Sequence, residues 1–132
     1  MMIINNHCEI TYPEEGIGFL IGHDGIIRII ENVIPTPNLA EHEVRHKRYF
    51  VAPQDILRAE QEADSSGLEI VGVFHSHPDH PCSPSGYDHE LALPGFSYII
   101  MSVRKGKATD TRCLRLHEDG SGFIEEAIQI VS

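Results

Sequence analysis

A chain of 132 residues, 41% hydrophobic and 23% charged, has the size of one compact domain across residues 1–132, and its apolar content excludes wholesale disorder. Twenty acidic against ten basic side chains give a formal charge of −10, which argues against the clustered Lys and Arg on which nucleic-acid binding rests. No apolar run approaches the ~18–20 residues of a membrane span, and no signal-peptide pattern opens the chain.

Residues 2–12 read equally well as a short helix or a strand, and Pro13 then punctuates. Ile17 to Ile21 is predicted as a strand closed by the turn Gly22-His23-Asp24-Gly25, with Ile26 to Ile30 as its hairpin partner. Residues 31–47, carrying Pro35, Pro37 and Asn38, read as an irregular exposed loop, and Arg48 to Val51 as a short strand. From Pro53, a favoured first-turn residue, Ile56, Leu57, Ala59, Glu60 and Ala63 keep a helical period until Gly67. Glu69 to His75 reads as a buried strand. Three prolines in 78–84 argue against regular structure there. Ser85 to Leu93 suggests a short helix stopped by Pro94-Gly95. Ser97 to Val103, Thr111 to His117 and Gly122 to Val131 read as three further strands, the last also compatible with a helix. The expected fold class is mixed α/β or α+β.

Cys8, Cys82 and Cys113 are an odd number with no CxxC spacing, which suits a reducing cytoplasm better than an oxidising compartment. Nine histidines are more than composition leads one to expect, and two of them are placed for chemistry. His75 and His77 close a hydrophobic strand, and side chains at i and i+2 of an extended backbone share a face. Paired imidazoles there are natural partial ligands for zinc, although His-x-His alone is a weak signal. The prolines of His77-Pro78-Asp79-His80-Pro81-Cys82-Ser83-Pro84 then stiffen a loop that ends at Ser85. Ser85 and Asp88 have the spacing of a capping box, in which both side chains merely satisfy helix-end N–H groups.

His75-x-His77-Pro78, five residues, then Pro84-Ser85-x-x-Asp88, resembles the signature of the JAB1/MPN/Mov34 (JAMM) metalloproteases. Pro13-Glu14-Glu15-Gly16-Ile17-Gly18-Phe19-Leu20 is similar to the segment that carries the family's glutamate, which falls on Glu15, with Glu14 one register away. The resemblance covers roughly residues 4–104. It implies a single JAB1/MPN domain with a mixed central sheet flanked by helices, cytidine-deaminase-like. It also implies one zinc ion per chain, held by His75, His77 and Asp88 with water in a fourth position. Glu15 would be the general acid/base and Ser85 the donor to an oxyanion.

The compact chain is most similar to the small prokaryotic members, which act on ubiquitin-like or sulfur-carrier proteins ending in Gly-Gly. The implied reaction is zinc-dependent hydrolysis of an amide at that C-terminus, releasing cysteine or trimming a precursor. A deubiquitinase-like isopeptidase or small-peptide hydrolase is the alternative with the same site, and a non-catalytic scaffold the alternative without it. Neither nucleic acid nor membrane is an expected partner. Asp79 is a candidate to orient a histidine, His80 to line the cleft, and Cys82 to bind metal or oxidise, each against an ordinary loop role. Tyr87 and His89 read as packing and surface positions, and His7, His23 and His117 have no evident partner. Arg45-His46-Lys47-Arg48 is a basic island in an acidic chain, read either as a solvated loop or as a docking patch for a carboxylate. A carrier tail is expected to add as a strand along a sheet edge near residues 36–50.

Overall fold

In the computed structural model, which describes residues 1–130, seven strands share one sheet. They are β1 (Ile17–His23), β2 (Arg28–Thr36), β3 (Glu69–Pro78), β4 (Ser97–Arg104), β5 (Lys107–Leu116), β6 (Phe123–Glu125) and β7 (Ile128–Ile130). Their spatial order is β6-β5-β4-β3-β1-β2-β7. The helices are α1 (Met2–Thr11), α2 (Pro53–Ser65) and α3 (Gly86–Leu91), with a 3-10 turn at His42–Val44. No described helix is long and apolar enough to cross a membrane.

The central strands are apolar on both sides because both faces of the sheet are covered. On one face α1 places Ile4 and Cys8 against Leu20, Phe74, Ile99 and Met101. On the other, α2 places Ala59 and Ala63 against Phe19 and Ile21. The small alanines let this helix lie close to the sheet, and its charged face points to solvent. Phe74 faces α1, so its neighbours Val73 and His75, and His77 beyond, face the opposite side.

Two pairings set the site. β1 runs antiparallel to β3 with Ile17 opposite His75, and β3 runs parallel to β4 with His75 opposite Ile100 and His77 opposite Ser102. The histidines therefore sit in the middle of the sheet, flanked on both sides by buried strands. At the far end of the same strands Arg28 is only 7% exposed. Its guanidinium donates to Asp24 (2.7 Å), to the carbonyls of Val71 (3.1 Å) and Gly95 (2.8 Å), and to Ser97 Oγ (2.9 Å). One side chain thus ties β2, β3 and the entry to β4.

The elements differ from the sequence expectations in several places, among them β1, which runs on through His23, and β5, which begins at Lys107 rather than Thr111. Residues 2–11 resolve as helix. β2 starts at Arg28 and continues to Thr36, through residues expected to be loop; beyond its pairing with β7 over Arg28–Ile30 it is an edge strand, where Pro35 lacks no ladder donor that matters. Residues 48–51 form no strand. The segment expected as one strand from 122 is two short ones: β6 pairs with β5, and β7 crosses to pair with β2 in parallel at the opposite edge. Val131, the end of that expected strand, lies outside the described residues.

Replacing Arg28 by Met leaves two buried carbonyls and Asp24 without their donor. The expected loss is about 2–4 kcal/mol in urea unfolding, whether or not metal is present. A loss within ~0.5 kcal/mol would show that water replaces the guanidinium there.

Candidate metal centre

His75, His77 and Asp88 converge. His75 Nε2 lies 3.3 Å from His77 Nε2 and 3.2 Å from Asp88 Oδ1, and His77 Nε2 lies 2.9 Å from Asp88 Oδ2. All three side chains are buried. Four ligands at ~2.0–2.1 Å around tetrahedral zinc sit about 3.3 Å from one another, and the two Nε2 atoms have that spacing, with one Asp88 oxygen close to each. The tautomer of His77 supports the same reading. Its Nδ1 is 2.7 Å from the Pro81 carbonyl, which can only accept, so Nδ1 carries the hydrogen and the Nε2 lone pair faces the cluster. Two nitrogen lone pairs and a carboxylate facing one another repel unless a cation or proton lies between them, and the residues present therefore fit zinc.

Each donor is held by a different local device. β3 supplies the histidines through its period of two. Asp88 comes from the first turn of α3, whose N-cap is Ser85: Asp88 N donates to Ser85 Oγ (3.0 Å), and Ser85 N donates to Asp88 Oδ2 (2.9 Å). The capping box is thus formed, and it is compatible with Asp88 serving as a metal ligand. A carboxylate has room for several partners on its two oxygens, and the cap fixes its orientation toward the histidines. Asp88 is held well below the usual carboxylate range: burial opposes its ionisation, but the two imidazoles and the Ser85 N–H outweigh it.

Glu15 sits just before β1, one residue from Gly16, whose N–H donates to Ser76 Oγ (2.7 Å) and whose carbonyl accepts from Ser76 N (3.0 Å). That clamp continues the β1–β3 register and carries Glu15 to the level of His77. The carboxyl is 4% exposed, and Oε1 has no hydrogen-bond partner. Burial pushes Glu15 up to about 7, with His75 and His77 opposing and Asp88 adding to the rise. Glu14 turns away toward Arg45 and His42 at the surface. Of the two glutamates, Glu15 faces the cluster.

Asn38 reads in the sequence only as a loop residue, yet it organises one wall of the site. Its amide donates to the carbonyls of Glu15 (3.1 Å) and Arg48 (3.0 Å), and its oxygen accepts from Ala40 N (3.0 Å) and Phe50 N (3.1 Å). All four of its hydrogen-bonding positions are used. This is why 48–51 runs extended without becoming a strand: a side chain takes the place of the neighbouring ladder. The same wall brings Tyr49 over His75, ring centroids 5.2 Å apart.

Between the walls lies a cleft of about 380 Å³ lined by Glu15, His46, Lys47, His77, His80, Ser83 and Ser85, among others. His80 is exposed and lines this cleft. Cys82 is buried against Ile100, Leu114 and Phe123 and serves packing; it is not among the converging donors. Asp79 orients no histidine: with φ +57° it accepts from Tyr12 Oη (2.5 Å) and Lys105 N (2.8 Å), tying α1 to the β4–β5 hairpin. Tyr87 stacks under Arg48, and His89 packs edge-on to Phe123. His7 packs edge-on to Phe74, and His23 pairs with Glu31 at 3.0 Å.

A mixed sheet that presents two strand histidines to a helix-capping aspartate, beside a buried glutamate, is the arrangement of a JAB domain. The model of the family described as prokaryotic homologs of the JAB domain matches residues 3–117, and the chain belongs to that family. A Thermus thermophilus protein named as a probable TtuB-protein conjugate cleaving protease is 34% identical over 91 residues, 69% of this chain and 57% of that protein. The chain spans between half and two thirds of the curated relatives it matches. A solution structure from Desulfitobacterium hafniense superposes with a TM-score of 0.83 at 31% identity, covering 100% of this chain and 88% of that one. A JAB1/MPN domain protein from Archaeoglobus fulgidus, 19% identical, shares the fold with a TM-score of 0.58 over 99% of this chain and 89% of its own.

Keeping Glu15 buried costs stability whenever it is charged. Its folded value of about 7 lies above the ordinary 4.5, so the folded state favours the protonated form. The cost is absent below about pH 4.5, grows through the window up to 7, and is complete above it. Glu15→Gln is therefore expected to stabilise the chelator-treated protein at about pH 8 by on the order of 2–3 kcal/mol in urea unfolding, and by much less near pH 5. Equal stability of the two proteins at both pH values would contradict this burial cost.

Proposed function

We propose that this domain is a zinc-dependent peptidase that hydrolyses the amide bond joining a group to the Gly-Gly C-terminus of a ubiquitin-like or sulfur-carrier protein. One observation carries the reading: three buried donor atoms within 4.8 Å of one another stand beside a buried glutamate whose Oε1 has no partner. His75, His77 and Asp88 would hold one zinc ion, leaving a position open to the cleft. When bound, zinc supplies Lewis acidity toward an attacking water and the scissile carbonyl.

The chain's own residues do the rest. Glu15, poised near neutrality by its burial, takes a proton from the attacking water, holds it on its carboxyl, and returns it to the leaving amine. Ser85 spends an acceptor lone pair on the N-cap bond, so its O–H remains free to donate to the oxyanion. The Pro81 carbonyl and the Ser85 N–H hold His77 and Asp88 in orientation through the cycle. No covalent enzyme intermediate is needed.

The carrier substrate rests on two supports. A cleft of about 380 Å³ between the 46–47 and 80–85 segments admits a narrow, extended tail, and a Gly-Gly end is the narrowest tail a protein can offer. The Thermus relative is named for cleaving conjugates of one protein partner. Free thiols at Cys8, Cys82 and Cys113 fit a reducing cytoplasm.

The test is intact mass spectrometry of a Gly-Gly carrier bearing a C-terminal addition, paired with metal analysis of the enzyme. The wild type should bind one zinc, lose it to chelator, and remove the addition. Glu15→Ala should keep the zinc and lose turnover by about 10²–10⁴-fold. Ser85→Ala should lose about 10²–10³-fold in kcat with smaller change in KM. A protein without zinc at equilibrium, or a Glu15→Ala protein that still turns over, would sink the proposal.

A further inference from the structure

The basic island divides into two engaged side chains, Arg45 and Arg48, and two without a carboxylate partner, His46 and Lys47. Arg45 donates to the Ala40 carbonyl (2.6 Å) and faces Glu14 at 4.0 Å, and Arg48 lies over the Tyr87 ring at 4.9 Å. Among the described residues, His46 and Lys47 have no carboxylate partner within 4.0 Å. Both line the cleft with Glu15, His77 and Ser85. The backbone beneath them is fixed: Lys47 N donates to Val44 O (3.0 Å), and the Arg45 carbonyl accepts from Glu15 N (2.7 Å). In a chain of formal charge −10, Lys47 brings a positive charge without a carboxylate partner to this cleft.

Its side of the cleft says what it meets. Ser85 lies on the α3 wall and Glu15 on the 38–50 wall, to which Asn38 and Arg45 bind it. The oxyanion faces Ser85, and the leaving amine must face the proton that Glu15 delivers. Lys47 stands two residues from the group that anchors Glu15, and so borders the leaving side. When the leaving group is a single amino acid, its α-carboxylate is attached to the carbon next to the leaving nitrogen. When the leaving group is a lysine side chain of a folded protein, no carboxylate lies there.

Resting on the peptidase reading above, we propose that Lys47, with His46 beside it, binds the α-carboxylate of the leaving group, so that the site distinguishes a leaving group with a free α-carboxylate from one without it. The N–H and O–H balance is that of ordinary hydrolysis: water adds across the amide, and the amino acid departs with its amine and carboxylate.

The experiment uses two peptides that end in Gly-Gly plus one amino acid, one with a free α-carboxylate and one with an α-carboxamide. With zinc-loaded wild type the carboxylate peptide should have about a tenfold higher kcat/KM, as expected for one charge-assisted contact. Lys47→Met should bring the ratio close to one, Lys47→Arg should restore it, and Lys47→Glu should invert it. Titration of the same peptides into Glu15→Gln protein reads the preference as a ratio of Kd values, independent of turnover. Hydrolysis of both peptides at equal kcat/KM, with equal Kd, overturns the carboxylate subsite and leaves the peptidase standing. Failure to hydrolyse either peptide or an isopeptide-linked carrier, with zinc bound, overturns the peptidase reading and this inference with it.

Discussion

Everything in the site depends on how a buried carboxylate is aimed. Asp88 belongs to a helix of six residues, too short to be stable on its own, and that helix is secured at its N-terminus by the reciprocal bonds between Ser85 and Asp88. The same Asp88 carboxylate lies within 3.2 Å of both histidines of β3. The cap and the metal centre are therefore one structure. A change that frees Asp88 from Ser85 releases a donor and unravels a helix end together, and the stiff loop of Pro78, Pro81 and Pro84 limits how far α3 can drift from β3.

The sheet provides the opposing rigidity. β3 lies between β1 and β4, buried on both faces, so the backbone of His75 is fixed by two ladders and that of His77 by its pairing with β4. Ser76, between them, faces the other side and clamps Gly16, which sets Glu15. Three consecutive residues thus hold two candidate metal donors and, through Gly16, the proposed general base Glu15. Such a site stores unfavourable interactions: facing nitrogens, an ionised aspartate away from water, and a glutamate without a partner. The apolar clusters on either face of the sheet offset that cost, and Arg28 pins the far ends of the same strands.

Much of this was legible in the sequence, for physical reasons. The donors follow from a strand's period of two and from a motif with fixed spacing, and Glu15 from a second motif. α2 announced itself through its 3.6-residue period and Pro53. The strand boundaries were less legible. β2 passes through Glu31, Asn32 and Pro35, which an edge strand tolerates and a pattern reading takes for a loop. Tyr49 and Val51 alternate like a strand, but the Asn38 side chain bonds the backbone of Arg48 and Phe50, and no local pattern reports a bond from residue 38 to residue 50. β7 is a three-residue strand whose partner lies a hundred positions away. The two readings of Ser85 and Asp88 looked exclusive in sequence because sequence shows spacing and not the two faces of a carboxylate.

The central claim is that one zinc ion is held by two imidazoles and one carboxylate from this chain, with an open position toward the cleft. X-ray absorption at the zinc edge of the loaded protein tests it most directly. The account predicts two histidine signatures with the remaining ligands oxygen, no sulfur, and the loss of one imidazole in His77→Ala. A sulfur ligand, which would bring Cys82 out of its apolar cluster, or a first shell unchanged in His77→Ala, would contradict it.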